Sequence, residues 1–158
     1  MSAAMRSRIA ATLIALLQQA NTATVRQIAA AVDPRAPWDA QVRQAIEAWI
    51  AAAQSDLAIT LSWNRDLPSL GSDACHLQRE WLETFVAPIQ NLSDTPNLRA
   101  AGVAPPSRQL AVLLFGGLRE LIATTVEDGG DIGDITEVAV QATTALLGPR
   151  HPGRLHHP

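Results

Sequence analysis

Between Pro105 and Gly130 the chain reads PPSRQLAVLLFGGLRELIATTVEDGG, and from Leu110 to Leu118 no residue is charged or strongly polar. The segment has the marks of one helix. Pro105 and Pro106 suit a helix start, where a missing N–H costs nothing. Gly129 and Gly130 suit its end, because a left-handed terminal residue is cheapest as glycine. Leu110, Leu114, Gly117, Leu121 and Thr124 fall on one stripe at helical spacing, and Ala111, Phe115, Leu118, Ile122 and Val126 on a second beside it. A helix that is apolar over most of its circumference must be covered on nearly every side. A short chain can cover one side with its own helices, so the other side implies a partner subunit. Gly116-Gly117 would allow close approach of that second backbone.

The remaining chain divides into helices at its prolines and glycines. A first helix is expected from Met5 to Val32, stopped by Asp33-Pro34, with Ile9, Leu13, Leu16, Ala20, Thr24, Ile28 and Val32 on one stripe. A second runs from Trp38 to Gln54 and buries Val42, Ile46, Trp49 and Ala53. A third starts at an N-cap Ser55 and reaches Asp66, with Leu57 and Leu61 on one side and Ile59 and Trp63 on another. A fourth spans Ser72 to Leu92, with Leu77, Trp81, Phe85, Ile89 and Leu92 inward and a kink at Pro88. Residues 94–102 read as a loop, residues 105–130 as the fifth helix. The sixth opens on a capping box, Asp134 with Glu137, and carries Ile135, Val138, Ala142 and Leu146 as its apolar stripe. No segment alternates as a strand would, so the expectation is an all-α bundle of about six helices. The tail, 149–158, holds prolines and three histidines, and its composition points to disorder.

Composition narrows the function classes. At 158 residues and 47% apolar content, the chain is long enough to fold around one core. A net charge of −3 gives no global attraction to nucleic acid, although residues 1–35 carry a local +3. The single cysteine, Cys75, excludes an internal disulfide and fits a reducing cytoplasm. Ile9 to Val25 lacks charge and follows Arg6 and Arg8, the outline of a secretory signal. Its helical stripe, however, continues through the only cleavage-like stretch. No segment reaches the roughly 18 apolar residues of a membrane span.

Three stretches, taken together and in order, resemble the C-terminal, ligand-binding and dimerisation domain of tetracycline-repressor-type (TetR family) transcriptional regulators. They are AAAVDPRAPWDAQVRQAIEAWIAAA from Ala29 to Ala53, NRDLPSLGSDACHLQREWLETFVAPI from Asn64 to Ile89, and VLLFGGLRELIATTVEDG from Val112 to Gly129. The resemblance implies a connecting helix over 1–33, the remnant of a link to a missing DNA-binding domain. It implies an effector-binding and dimerisation domain over 34–148, working in the cytoplasm with no cofactor. Regulators of this kind are usually repressors released from DNA by a small apolar ligand. Family members begin with a three-helix DNA-binding unit, whereas here the matching region starts about a dozen residues from Met1. DNA would be reached only through that absent unit. The expected partners are a second copy of the chain or a full-length relative, and a small apolar or aromatic effector. The resemblance places the dimer seam on the last two helices, at Leu110, Leu114, Gly117, Leu121, Thr124, Ile135, Val138, Ala142 and Leu146. The expected effector pocket draws on Trp49, Leu57, Leu61, Trp63, Gln78, Trp81, Phe85 and Phe115, most of them aromatic and all on the second to fifth helices.

Other classes leave fainter marks. His76, Glu80 and Glu83 share one helix face and could converge on a metal ion, although a solvated face with an ion pair needs the same residues. Cys75 beside His76 is the nearest thing to a redox pair, but adjacent helical residues point about 100° apart. The tail histidines His151, His156 and His157 could chelate a metal in vitro but are not expected to form a site. No phosphate-cradling glycine loop and no Ser-His-Asp order occurs, so an enzyme is not expected. A degenerate helix-turn-helix within residues 5–33, built around TVRQIAAAVD, is the remaining route to direct DNA contact.

Overall fold

The computed structural model describes residues 3–62, 65, 76, 79–80, 82–87, 90, 94 and 96–149. These form seven α-helices and one 3₁₀ turn, with no strand among the described residues. The helices are α1 (Ala3–Ala31), α2 (Trp38–Ser55), α3 (Leu57–Leu61), α4 (residues 82–87), α5 (Pro96–Ala100), α6 (Arg108–Glu127) and α7 (Thr136–Leu147); the 3₁₀ turn is Ile132–Ile135. The all-α expectation holds.

α1 runs unbroken for 29 residues because nothing in it opposes a helix: it is rich in alanine and free of glycine and proline. Asp33 stands before Pro34, a position that disfavours helical backbone, and the chain turns there. A single helix over Ala3–Ala31 runs through the segment in which a helix-turn-helix would need a turn. Its buried contact is Leu17, 1% exposed, whereas the expected Leu16 is 50% exposed. A stripe through 13, 17, 20, 24 and 28 follows the helix better than one through 16. The turn into α2 is held by the buried Gln41 side chain, whose Nε2 donates to the Ala36 carbonyl at 2.8 Å.

The main core lies between α2, α6, the 3₁₀ turn and α7. Ile46, Ile50 and Ala53 meet Leu114, Leu118 and Ile122, with Ile132, Ile135, Ala139 and Val140 closing the far side. α1 lies against α2. Arg43 ties α2 to α7 through a fork of bonds to Glu137, at 2.5 and 3.0 Å. That pair corrects the expected capping box. Asp131 accepts from the Gly133 N–H and caps the 3₁₀ turn, and Glu137 reaches across to α2 instead of back to its own helix start.

Three further boundaries move, each for a local reason. α3 is capped by Asp56, whose carboxylate accepts from the Ile59 N–H at 3.0 Å; Ser55 belongs to the end of α2. Leu57 is exposed, against the expectation that α3 is covered on two faces. α6 starts at Arg108 with Ser107 as N-cap, accepting from the Leu110 N–H, so Pro105 and Pro106 lie outside the helix. Its end is as expected. Gly129 sits at φ +77°, with Gly130 N–H bonded to Thr125 O and Gly129 N–H to Val126 O, a Schellman closure. The stretch taken for a loop contains α5, closed in the same way by Gly102 at φ +76°. There Leu98 and Val103, both buried, occupy the positions whose contact commonly accompanies such a closure. The kink expected at Pro88, the inward Leu77, Ile89 and Leu92, Cys75, and the tail from residue 150 onward lie outside the described residues.

α6 is the helix, among the described residues, whose length and mean hydropathy of 1.4 would pass for a membrane span. Its buried stripe supplies the core with α2 and α7, and both its ends carry charge: Arg108 pairs with Glu83, and Glu120 and Glu127 with Arg65. About 33% of that stretch is buried inside the protein.

Candidate functional site

α1, α2, α3, α4 and α6 line a half-open cavity of about 200 Å³. Its floor is aromatic. Phe85 of α4 stacks on Phe115 of α6 with centroids 4.4 Å apart and planes 25° apart, and Trp49 of α2 stands tilted 6.3 Å from Phe115. Leu17, Ala53, Ile59 and Ile122 complete the apolar wall. Both phenylalanines are buried, because each faces a helix from a different part of the chain.

Polar groups gather along the rest of the lining. Asn21, Thr24 and Gln27 come from α1, Asp56 and Thr60 from the α3 end, and Arg119 from α6. Asn21 Nδ2 donates to Thr84 Oγ1 at 2.7 Å, which ties α1 to α4. Thr24 and Thr60 direct their hydroxyls to the carbonyls of Ala20 and Ala53, at 3.1 and 3.4 Å. Asp56 is partly engaged by its own helix cap. The guanidinium of Arg119 lies 5.8 Å from the Phe115 ring centroid, over the aromatic face. Burial pushes Arg119 below the ordinary arginine value, and the neighbouring Arg65 acts in the same direction while Glu120 opposes it.

Arg65, beyond α3, clamps that segment onto α6. Its Nε donates to Glu127 at 2.5 Å and its Nη2 to Glu120 at 3.1 Å. These bonds raise the Arg65 pKa, and the Glu127 carboxyl falls below its usual range chiefly because it accepts from Arg65. The clamp is exposed to solvent and holds a boundary of the site without lining it.

Of the residues expected to form a pocket, Trp49, Phe85 and Phe115 are brought together on the cavity wall. Leu57 and Leu61 do not border it, because α3 turns Ile59 and Thr60 inward. Trp63, Gln78 and Trp81 lie outside the described residues. Missing from the sequence reading were Leu17, Asn21 and Thr24 on α1, and above all Arg119. A signal for Arg119 existed: it stands four residues after Phe115 and three before Ile122, within the buried stripe.

The expected seam on the last two helices divides. Leu114 and Ile135 belong to the internal core and are not available to a partner. Leu110, Leu121 and Thr124 are half-buried. Gly117 opens to solvent, as does Gly116, with nothing within 4 Å of an added Cβ at either, and Leu113 beside them is 64% exposed. On α7, Val138, Ala142, Ala145 and Leu146 form an open apolar strip, Val138 being 51% exposed. The face that α6 leaves open is therefore centred on Leu113, Gly116 and Gly117.

Among the described residues, no three His, Cys, Asp or Glu side chains come close enough to hold a metal ion. His76 and Glu80 are exposed, and Glu83 is engaged by Arg108, whose Nε lies 2.8 Å from its carboxylate. No protein-family model, curated protein or solved structure matches the chain.

Proposed function

We propose that this chain is a small-molecule-sensing and dimerisation domain, of the kind found in TetR-like transcriptional regulators. The observation that carries this reading is the aromatic-floored cavity, whose walls come from four separate helices and the α3 segment. A concave, mainly apolar site with a few polar groups is the usual form of a small-ligand site.

The cavity also suggests how binding could be transmitted. Leu17, Asn21, Thr24 and Gln27 place α1 directly on the ligand space. A ligand with unequal affinity for two positions of α1 shifts the population between them, and only that difference drives the change. In a TetR-like regulator the helix in this place joins the sensor to its DNA-reading unit. The open strips on α6 and α7 support a homodimer, since apolar helix faces of this sort are normally covered.

Sedimentation equilibrium at tens of micromolar tests the dimer, which fails if only monomer is found. Thermal unfolding against a set of small aromatic compounds tests the sensor. A true ligand raises the midpoint progressively with concentration, following RT ln(1 + [L]/Kd). A set that leaves the midpoint unmoved argues against a binding cavity.

A further inference from the structure

The cavity's size and lining define a ligand class more narrowly than "apolar". At about 200 Å³ it is smaller than the roughly 300–1,000 Å³ of sites for drug-sized ligands, and larger than the ~150 Å³ cavity that accepts a benzene. The space is half open, so this volume sets the part of a ligand it can hold, about one aromatic ring and a small substituent. The half-buried Trp49 and the edges of the stacked Phe85 and Phe115 offer the aromatic contacts. The substituent must then meet the polar part of the lining.

Two charged side chains border that space, Asp56 and Arg119. Asp56 already accepts from the Ile59 N–H as a helix cap. Arg119 is half-buried and leans over the Phe115 ring, so its charge lies at the border of the aromatic group. A guanidinium has five N–H donors in a rigid fork, enough to receive a carboxylate while keeping contacts with the protein. Partial removal from water strengthens such a charge-assisted bond relative to one on the surface.

We infer that the site selects a one-ring aromatic monocarboxylate, its ring against Trp49, Phe85 and Phe115 and its carboxylate on Arg119. The inference rests on the sensor reading above and adds the charge and size of the ligand. The test is calorimetric titration of the full chain with benzoate, with benzamide as the neutral analogue of the same shape, and with benzylammonium as the cation. Benzoate is expected to bind about tenfold or more tighter than benzamide, as a charge-assisted bond to a half-buried arginine requires. Benzylammonium is expected to be weakest. Arg119→Gln should abolish the preference for benzoate over benzamide, and Arg119→Lys should keep a reduced preference because charge survives but the fork does not. The comparison of the three compounds on the unaltered chain decides the matter without any variant. If benzamide or benzylammonium binds as tightly as benzoate, the anion assignment is overturned while the cavity stands as a ligand site. If none of the three binds at millimolar concentration, the assignment falls together with the sensor reading.

Discussion

Replacing Phe115 with alanine should cost more than any other single change at the site. The ring is 6% exposed and in contact on three sides: Phe85 stacked at 4.4 Å, Trp49 tilted at 6.3 Å, and the Arg119 guanidinium at 5.8 Å. Truncating a buried phenylalanine typically costs about 3–5 kcal/mol, and most when neighbours cannot collapse into the space. Collapse is difficult here, because Phe85 and Trp49 belong to separate helices fixed by other contacts. Phe115→Leu retains most of the volume and loses mainly the ring interactions. Those are worth about 0.5–1.5 kcal/mol for the aromatic pair and about 0.5–1 for the cation, so about 1–2.5 in all. Urea unfolding at fixed protein concentration would measure both variants, and holding concentration fixed keeps any association from entering the comparison. In a thermal scan the alanine variant should melt about 6–20 °C lower, at roughly 2–4 °C per kcal/mol for a chain of this length. A double-mutant cycle with Phe85→Leu should return a coupling of about 0.5–1.5 kcal/mol. An alanine variant that loses less than about 1 kcal/mol, in the range of surface substitutions, would refute the packing described. So would a cycle with no coupling.

Three other outcomes follow from single features. Gly117→Arg should leave helical content and melting of the separate subunit intact, since open space receives the side chain, yet abolish sedimentation as a dimer; a variant that remains dimeric would show that α6 joins no partner there. Gly129→Ala should cost roughly 1–2 kcal/mol, because φ +77° is left-handed backbone, and an unchanged midpoint in urea would contradict that closure of α6. For pH, Glu127 and Glu137 are held below the usual carboxylate range by bonds from Arg65 and Arg43. Their contribution is present above the ordinary glutamate value of about 4.3 and disappears as pH falls through the lower folded values. The melting difference between the parent chain and a Glu127→Gln, Glu137→Gln double variant should be full at neutral pH and shrink in acid; a constant difference would mean the pairs add nothing.

Much of this fold could be read from spacing, because helices announce themselves by period and punctuation. α2, α6 and α7 fell close to their expected limits, and the Gly129 closure was legible from glycine alone. The errors have one origin. Ser55 against Asp56, Pro105 against Ser107, and Asp134 against Asp131 are choices between adjacent cap candidates, which tertiary contacts decide. Glu137 shows this plainly, since its partner Arg43 is 94 residues away. α5 was missed because five residues are too few to show a period. At the site, the aromatic floor was visible in composition, whereas Arg119 was not among the expected pocket residues. Its spacing of four from Phe115 sets the two on one face of α6, and which neighbours cover that face is what the packing decides. Two apolar stripes on α6 were read from the spacing. Which stripe met the protein's own core required the neighbouring helices, and it proved to be the one through Ala111, Phe115, Leu118 and Ile122, with Leu114.

The most direct measurement is nuclear Overhauser contact between bound benzoate and the full chain, with aromatic side chains isotopically labelled. Ring-to-ring contacts are expected to Trp49, Phe85 and Phe115, together with shift changes at Asn21 and Thr24 on α1, which border the same space. Contacts confined to residues elsewhere, or a saturated complex in which those three rings and α1 are unperturbed, would contradict the cavity as the site at which this chain senses a ligand.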